Sequence, residues 1–375
     1  MHDPLPMPTD RRALLAGIGG LAAGTLLTAG RAEAGPLVPP AAPAPTAGPE
    51  PRIAINPANT PGDASCLFMI TQPGSYYLTG NITGDPSKCG IKIAASNVTI
   101  DLMGFAMFGV VGSFEGITTE GAQSNLVIRN GTIARWGAEG INLIIGGFGH
   151  NSLIEGVISS GNGLHGMLCN INSVVRSCIA HGNGSVGILL IQIGVAVDCS
   201  ASQNGLDGFQ VGSTCTVMGC SAYGNTGDGI QADTGCTVTG CSVRGNGNRG
   251  ILTSANSMVS NCTASANTLQ GIQVGGHCLV RENCCSSNLE AGIACNGNYS
   301  QIEDNNCTLN GRGIQVTGIR NVVMRNKCAA NTTSNWNIAA ENTCLVIDGI
   351  ISGAINGNSG GAGFGSTDPN ANYTY

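Results

Sequence analysis

The sequence predicts an all-β fold, a single-stranded right-handed parallel β-helix (a solenoid) with coils of about 21 residues. Three observations predict it. Gly followed by an apolar residue recurs at Gly166-Met167, Gly187-Ile188, Gly208-Phe209, Gly229-Ile230, Gly250-Ile251, Gly271-Ile272 and Gly292-Ile293, each step 21 residues long. Gly313-Ile314 continues the series, and Gly116-Ile117 and Gly140-Ile141 precede it at longer intervals. An Asn column keeps nearly the same period through Asn162, Asn183, Asn204, Asn225, Asn246, Asn267, Asn288, Asn310 and Asn331. Composition agrees: charged residues are 10% of the 375, against about 25% in ordinary globular domains, while Gly reaches 58 and aromatics only 4%. That profile suits tight turns around a core of small side chains.

In chain order, residues 1–34 form an export signal rather than a structural element. Arg11 and Arg12 supply the charge, Ala13 to Gly30 a mildly apolar stretch, and Ala32-Glu33-Ala34 a small-x-small cleavage site. Asp10-Arg11-Arg12-Ala13-Leu14-Leu15 resembles the twin-arginine export motif, and an ordinary secretory signal is the alternative. Cleavage would leave no membrane anchor, and the expected location is the periplasm, the cell surface or the medium of a bacterium. Residues 35–51, rich in Pro and Ala, form a linker. Residues 52–96 are expected to hold an N-terminal cap and the leading strands, residues 97–352 the β-helix, and residues 353–375 a Gly-rich, poorly ordered tail.

Within the repeat, segments such as Val217-Met218-Gly219-Cys220 and Ile272-Gln273-Val274 are strands too short to stand alone. Stacked coil on coil they pair in parallel and bury their inward side chains. The Asn column marks a tight bend, where each amide bonds its neighbours along the stack. The following Gly is assigned to a sharp turn into the next strand. A β-α-β solenoid would need room for a helix, which no coil has.

The 17 cysteines follow the period. Cys178, Cys199, Cys220, Cys241 and Cys262 form one column, after which Asn283, Asn305 and Asn326 take the position and the thiols move to Cys285, Cys307 and Cys328. A shift of two keeps the side chain on the same strand face. A further column holds Cys215, Cys236, Ser257 and Cys278. The coil spacing matches no zinc motif, so the thiols are read as small buried hydrophobes and no metal ligands are assigned. Cys66 and Cys89, outside the columns, are the disulfide candidates.

Residues Pro73 to Ile82, with Gly90-Ile91-Lys92-Ile93 and Asn97 to Phe105, resemble the N-terminal part of bacterial right-handed parallel β-helix repeat proteins of the pectin-lyase-like superfamily. With the repeat, the resemblance spans roughly residues 70 to 352. It implies the fold and an extracytoplasmic polysaccharide as the partner, bound or cut by a lyase or glycoside hydrolase. The best-known motifs of that superfamily are absent: Gly149-His150-Asn151 and Gly276-His277-Cys278 lack the second Gly of the hydrolase motif, and neither Asp3-Pro4 nor Asp368-Pro369 is followed by His as in the epimerases.

Chemistry is then sought in the residue before the recurring Gly: His165, Val186, Asp207, Asp228, Arg249, Gln270, Ala291, Arg312. Asp207 and Asp228, about 5 Å apart on adjacent rungs, would raise one pKa or share a cation, Ca²⁺ being the cofactor such a pair admits. Arg249, one rung on, would hold an acidic sugar, making Asp207, Asp228 and Arg249 the catalytic candidates. Such a carboxylate spacing also suits retaining glycoside hydrolysis. The alternative is a solvated turn in which Arg249 answers the charge of the two Asp. The outward face of the following strand, with Gln210, Gln231 and Gln273, and Asp233 at its far end, supplies the binding candidates. That face has no aromatic platform. Asp101, among apolar neighbours, reads as a structural hydrogen-bond acceptor. The net charge of −6 without a basic run argues against nucleic acid. A glycan-handling protein and a non-catalytic envelope rod or adhesin are the two functional expectations.

Overall fold

The computed structural model describes residues 52–144, 146–147, 149–348, 355–357 and 368–375. The expected export signal, the expected linker and most of the Gly-rich segment at 353–375 lie outside them. The described residues contain strands and turns but no helix. Each regular coil carries three short strands, as in Phe209–Val211, Thr216–Met218 and Ser221–Tyr223. The strand after the recurring Gly stacks only on its counterparts, giving a sheet of 14 parallel strands; the other two strands of each coil make up a second sheet of 26. At a rung spacing of about 4.8 Å, the 14 rungs span roughly 60 Å.

Register is fixed by what points inward. Ile230, Val238 and Val243 belong to the three strands of one coil and are fully buried, each worth about 1.5–3 kcal/mol of apolar burial. A one-residue slip would turn these side chains to water. Three corners close each coil, and each has a residue in the left-handed region, such as Thr214 (φ 60°), Gly219 (φ 62°) and Gly224 (φ 63°). The next residue, Cys215, Cys220 or Asn225, is buried.

These corner side chains tie coil to coil. Asn204 donates from Nδ2 and from its backbone N–H to Oδ1 of Asn225, at 2.9 and 3.1 Å, and the pattern continues from Asn162 to Asn331. At the second corner the amides of Cys178 and Cys241 point at Sγ of Cys199 and Cys262, both at 3.5 Å, before Asn283 takes over as acceptor for Cys262. The thiols thus occupy acceptor positions shared with Asn, and are more than apolar filler. The later thiols have a different setting: Cys285, Cys307 and Cys328 lie in mid-strand, where Cys285 pairs with Ala264.

The recurring Gly is required for space rather than for turning. Gly187, Gly208, Gly229 and Gly250 have no left-handed backbone. A Cβ on Gly229 would lie 2.7 Å from both Asn246 Nδ2 and the Gly250 carbonyl oxygen. The Gly column and the Asn column are therefore one device.

Both ends depart from the sequence reading. Parallel pairing begins with Ile53–Ala54 against Tyr76–Tyr77, and Cys66–Ile70 and Cys89–Ile93 are the first rungs of the 14-stranded sheet. The leading strands are hence part of the stack. Cys66 and Cys89 stay outside the cysteine columns but are register partners at the start of the column before the recurring Gly, and both are free, buried thiols. The expected disulfide is absent from this structure, consistent with the poor side-chain geometry for bridging an in-register stack. Burial pushes Cys89 up to about 12 and raises Cys66 as well, so both stay protonated at neutral pH. At the other end, residues 372–374 are no loose tail: they pair in parallel with Lys327–Cys328 on one side and with Val346–Asp348 on the other. Asn372 accepts from Asn326 Nδ2 at 2.9 Å and so extends the second corner's ladder.

Candidate functional site

The backbone ladder fixes the column before the recurring Gly. Gly90, Gly116, Gly140, Gly166, Gly187, Gly208 and Gly229 donate in turn to the carbonyls of Glu115, Glu139, His165, Val186, Asp207, Asp228 and Arg249. Asp207, Asp228 and Arg249 therefore lie on successive rungs, as the period requires. Their side chains face back along the stack. Asp207 Oδ1 accepts the Asp228 N–H at 2.6 Å, and Asp228 Oδ1 accepts the Arg249 N–H at 2.8 Å. His165 Nδ1 accepts the Val186 N–H in the same manner at 3.3 Å. Arg249 closes the row, placing Nη1 3.5 Å from Asp228 Oδ2 and donating from Nε to Gln273 Oε1 at 2.9 Å.

Electrostatics follow from this placement. Burial raises the Asp207 pKa, opposed by the Asp228 amide and reinforced by the Asp228 charge. Burial likewise raises Asp228, opposed by the Arg249 amide and guanidinium. The arrangement caps backbone amides along one corner of the stack and holds two carboxyls that take up protons more readily than a free Asp.

The outward positions of the adjoining strand form a register-matched column, Leu189, Gln210, Gln231, Leu252 and Gln273. Gln210, Gln231, Leu189, Leu252, Asp233 and Ser254 line an open groove of about 380 Å³. Gln210 and Gln231 make no side-chain hydrogen bond among the described residues, so their amides face the groove unengaged and form no ladder of their own. Asp233 is exposed at the far end, where its carboxylate takes the Thr234 amide and the Ser213 hydroxyl; these bonds lower its pKa. The structure thus brings Asp207, Asp228, Arg249 and Gln273 into one connected row. It leaves Asp233 on the opposite rim, with Gln210 and Gln231 between.

Two acids escaped the sequence reading. Glu115 and Glu139 continue the column towards the N-terminus, ahead of His165. Their signal was present, since they directly precede Gly116-Ile117 and Gly140-Ile141. Burial raises the Glu115 pKa, with the Glu139 charge adding to it, while burial lowers that of His165. Glu115 and Lys92 line a second depression of about 360 Å³ over the first coils. Asp101 is structural, as expected: Met103 N–H at 3.0 Å, Arg129 Nε at 3.0 Å and Asn130 Nδ2 at 3.3 Å all donate to it. Burial pushes its pKa up, but these donors outweigh burial and hold it below the usual carboxylate range.

Among the described residues no group of three or more His, Cys, Asp or Glu is arranged to hold a metal ion. Among the described residues no helix is long and apolar enough to cross a membrane.

Comparison with known proteins places the fold. Residues 115–269 match the family model described as the right handed beta helix region. No curated protein sequence matches the chain significantly. Among solved structures, the A-module of the Azotobacter vinelandii mannuronan C-5 epimerase AlgE6 is similar with a TM-score of 0.59 at 19% identity, covering 81% of this chain and 90% of its own. A double mutant of the periplasmic alginate epimerase AlgG gives 0.57 at 13% identity over 73% of this chain and 83% of its own. The Agl-KA catalytic domain gives 0.52 at 14% identity over 72% and 62%. At such identities the likeness concerns the fold alone. With the parallel three-stranded coils, it establishes that the chain is a right-handed parallel β-helix repeat protein.

Proposed function

We propose that the chain is an extracytoplasmic polysaccharide-handling protein whose glycan lies along the outward face of the 14-stranded sheet. One observation carries this reading: the groove of about 380 Å³ sits where the outward Gln210 and Gln231 amides are unengaged and is bounded by Asp233. Its open floor, with Gln210 and Gln231 flanked by Leu189 and Leu252, offers hydrogen bonds and apolar contact together, as glycan recognition demands. The structural neighbours named as epimerases of mannuronan and alginate support a polysaccharide ligand for this fold. The twin-arginine segment at Arg11 and Arg12 supports export.

For catalysis, Asp207, Asp228 and Arg249 remain the candidates in the regular coils, with Asp228 as proton carrier and Arg249 as its electrostatic partner. A second reading, a non-catalytic rod or adhesin, is favoured by a specific observation: both Asp carboxylates already accept amides of the following coil. A screen of the protein against neutral and uronate polysaccharides, with and without Ca²⁺, separates the two. Unsaturated uronide absorbance reports a lyase, and new reducing ends report a hydrolase. Cleavage abolished in Asp228→Asn establishes an enzyme with its site in this row. Binding that weakens in Gln231→Ala, with no product, establishes a glycan-binding rod. Silence in both assays would sink the polysaccharide reading.

A further inference from the structure

The first coils carry a depression that the stack does not explain. The recurring Gly is spaced by 26 residues from Gly90 to Gly116, by 24 to Gly140 and by 26 to Gly166, before settling at 21. The extra residues build loops over the outward face of the sheet, and between them lies the cavity of about 360 Å³. Lys92 and Thr118, register partners on adjacent rungs, form its floor, with Phe114, Glu115 and Glu120 around it.

Three features of this cavity point to a ligand. Phe114 is a large aromatic side chain left 47% exposed. It supplies the flat apolar platform that the Gln-lined face lacks. Thr118 is only 3% exposed, yet its Oγ1 has no hydrogen-bond partner. A buried hydroxyl without a partner costs free energy unless something bonds it. Lys92 donates to Ser65 Oγ at 2.5 Å, which holds the ammonium in place with further hydrogens to offer. An apolar platform beside a few fixed donors and acceptors is the chemistry that recognises a pyranose ring.

Charge narrows the class. The column before the recurring Gly and the linings of both depressions hold six carboxyl groups, Glu115, Glu120, Glu139, Asp207, Asp228 and Asp233. Three cations stand against them, Lys92, Arg249 and Arg312. Arg249 is already engaged with Asp228 and Gln273. A polyuronate laid along this face would meet carboxyl groups on the rungs of Glu115, Glu139, Asp207 and Asp228.

We propose that the depression between Lys92, Phe114, Thr118 and Glu115 is a sugar-binding subsite that takes a neutral pyranose unit, its ring against Phe114 and its hydroxyls bonded by Thr118, Lys92 and Glu115. This deepens the polysaccharide reading and rests on it. The subsite lies about five rungs, roughly 24 Å, from the centre of the Gln-lined groove on the same sheet face, so one glycan chain lying along the stack reaches both.

Binding of the full chain to cellohexaose, mannohexaose and a galacturonate hexamer, measured by calorimetry at low and moderate salt, tests the proposal. A neutral hexamer is expected to bind, and Phe114→Ala to weaken it roughly tenfold with unchanged folding. Thr118→Val is expected to bind more weakly while melting at a higher temperature, because it removes the unpartnered hydroxyl; a purely structural Thr118 would not separate the two readouts. Tighter binding of the galacturonate hexamer at low salt overturns the neutral-sugar assignment. Neutral binding that is lost in Gln231→Ala but kept in Phe114→Ala overturns the subsite and leaves the polysaccharide reading standing. Failure of all three hexamers to bind overturns both.

Discussion

The coils from Asn162 to Asn310 and those from Cys89 to Gly166 share one sheet and one register, yet they use their polar groups differently. In the regular coils the side chains at each corner bond the neighbouring coil, from the Asn ladder to Asp207 and Asp228. In the first coils the intervals lengthen, and Phe114, Thr118 and Glu115 are left with little to do for the stack. A strict repeat makes every polar group answer to its neighbours above and below. Where the repeat loosens, side chains are released for an outside partner, much as loops carry function on other rigid scaffolds.

The largest expected effect probes the regular coils. Asn225→Ala removes the acceptor of two Asn204 hydrogen bonds and the donor to Asn246 and Ala201, all buried. It should cost about 3–5 kcal/mol in denaturant unfolding, and a loss below about 1 kcal/mol would refute the ladder as a stabilising device. Gly229→Ala, whose Cβ would collide with that ladder, should cost about 1–3 kcal/mol. By contrast Gly80→Ala in the first coils meets nothing within 4 Å and should change stability by no more than about 0.5 kcal/mol.

Two carboxylates sharpen the contrast through pH. Asp101 titrates below its unfolded value, so its stabilisation is present above the ordinary Asp pKa of about 3.9 and is lost as pH falls through the folded value. Asp101→Asn should lower the melting temperature at pH 7 and lose this effect in acid. Asp207 titrates above its unfolded value, so whatever it contributes when protonated is lost as pH rises through the folded value. Asp207→Asn keeps an acceptor for the Asp228 amide and removes the charge, so it should raise the melting temperature at neutral pH and leave it unchanged near pH 3. The smallest effect belongs to Phe114→Ala, expected to change stability by less than about 0.5 kcal/mol because the ring is half exposed.

Much of this was legible in sequence because a solenoid repeats its constraints. Ile230 and Ile251, or Asn225 and Asn246, see the same surroundings one rung apart, so the period alone gives their register and burial. Three features were less legible. The steric role of Gly229 depends on where the next coil's amide sits, which spacing does not reveal. The Cys66 and Cys89 pair joins the column only through the irregular first coils, whose 23- and 26-residue steps hide the register. The period put Asp207, Asp228 and Arg249 on successive rungs, as the structure has them, but their amide bonds could not be read from a column of letters. Phe114 sits two residues before the recurring Gly, in the same backbone ladder as Leu164 and Leu206, so the period gave its position but not the cavity it borders.

The strand at residues 372–374 sets a condition on how the molecule is made. Because it lies between Lys327–Ala329 and Val346–Asp348, spatial order and chain order disagree at that end. Coils can be added one after another as the chain emerges, but residues 346–348 have no neighbouring strand to dock on until residues 372–374 arrive. Completion of the stack therefore waits for a segment made some 25 residues later, and until then an unpaired strand edge is open to other chains. Truncation just before Ala371 would remove the Asn372 acceptor of Asn326, the Thr374 acceptor of the Trp336 indole and the strand paired with Val346, and turn a closed end into a template for aggregation.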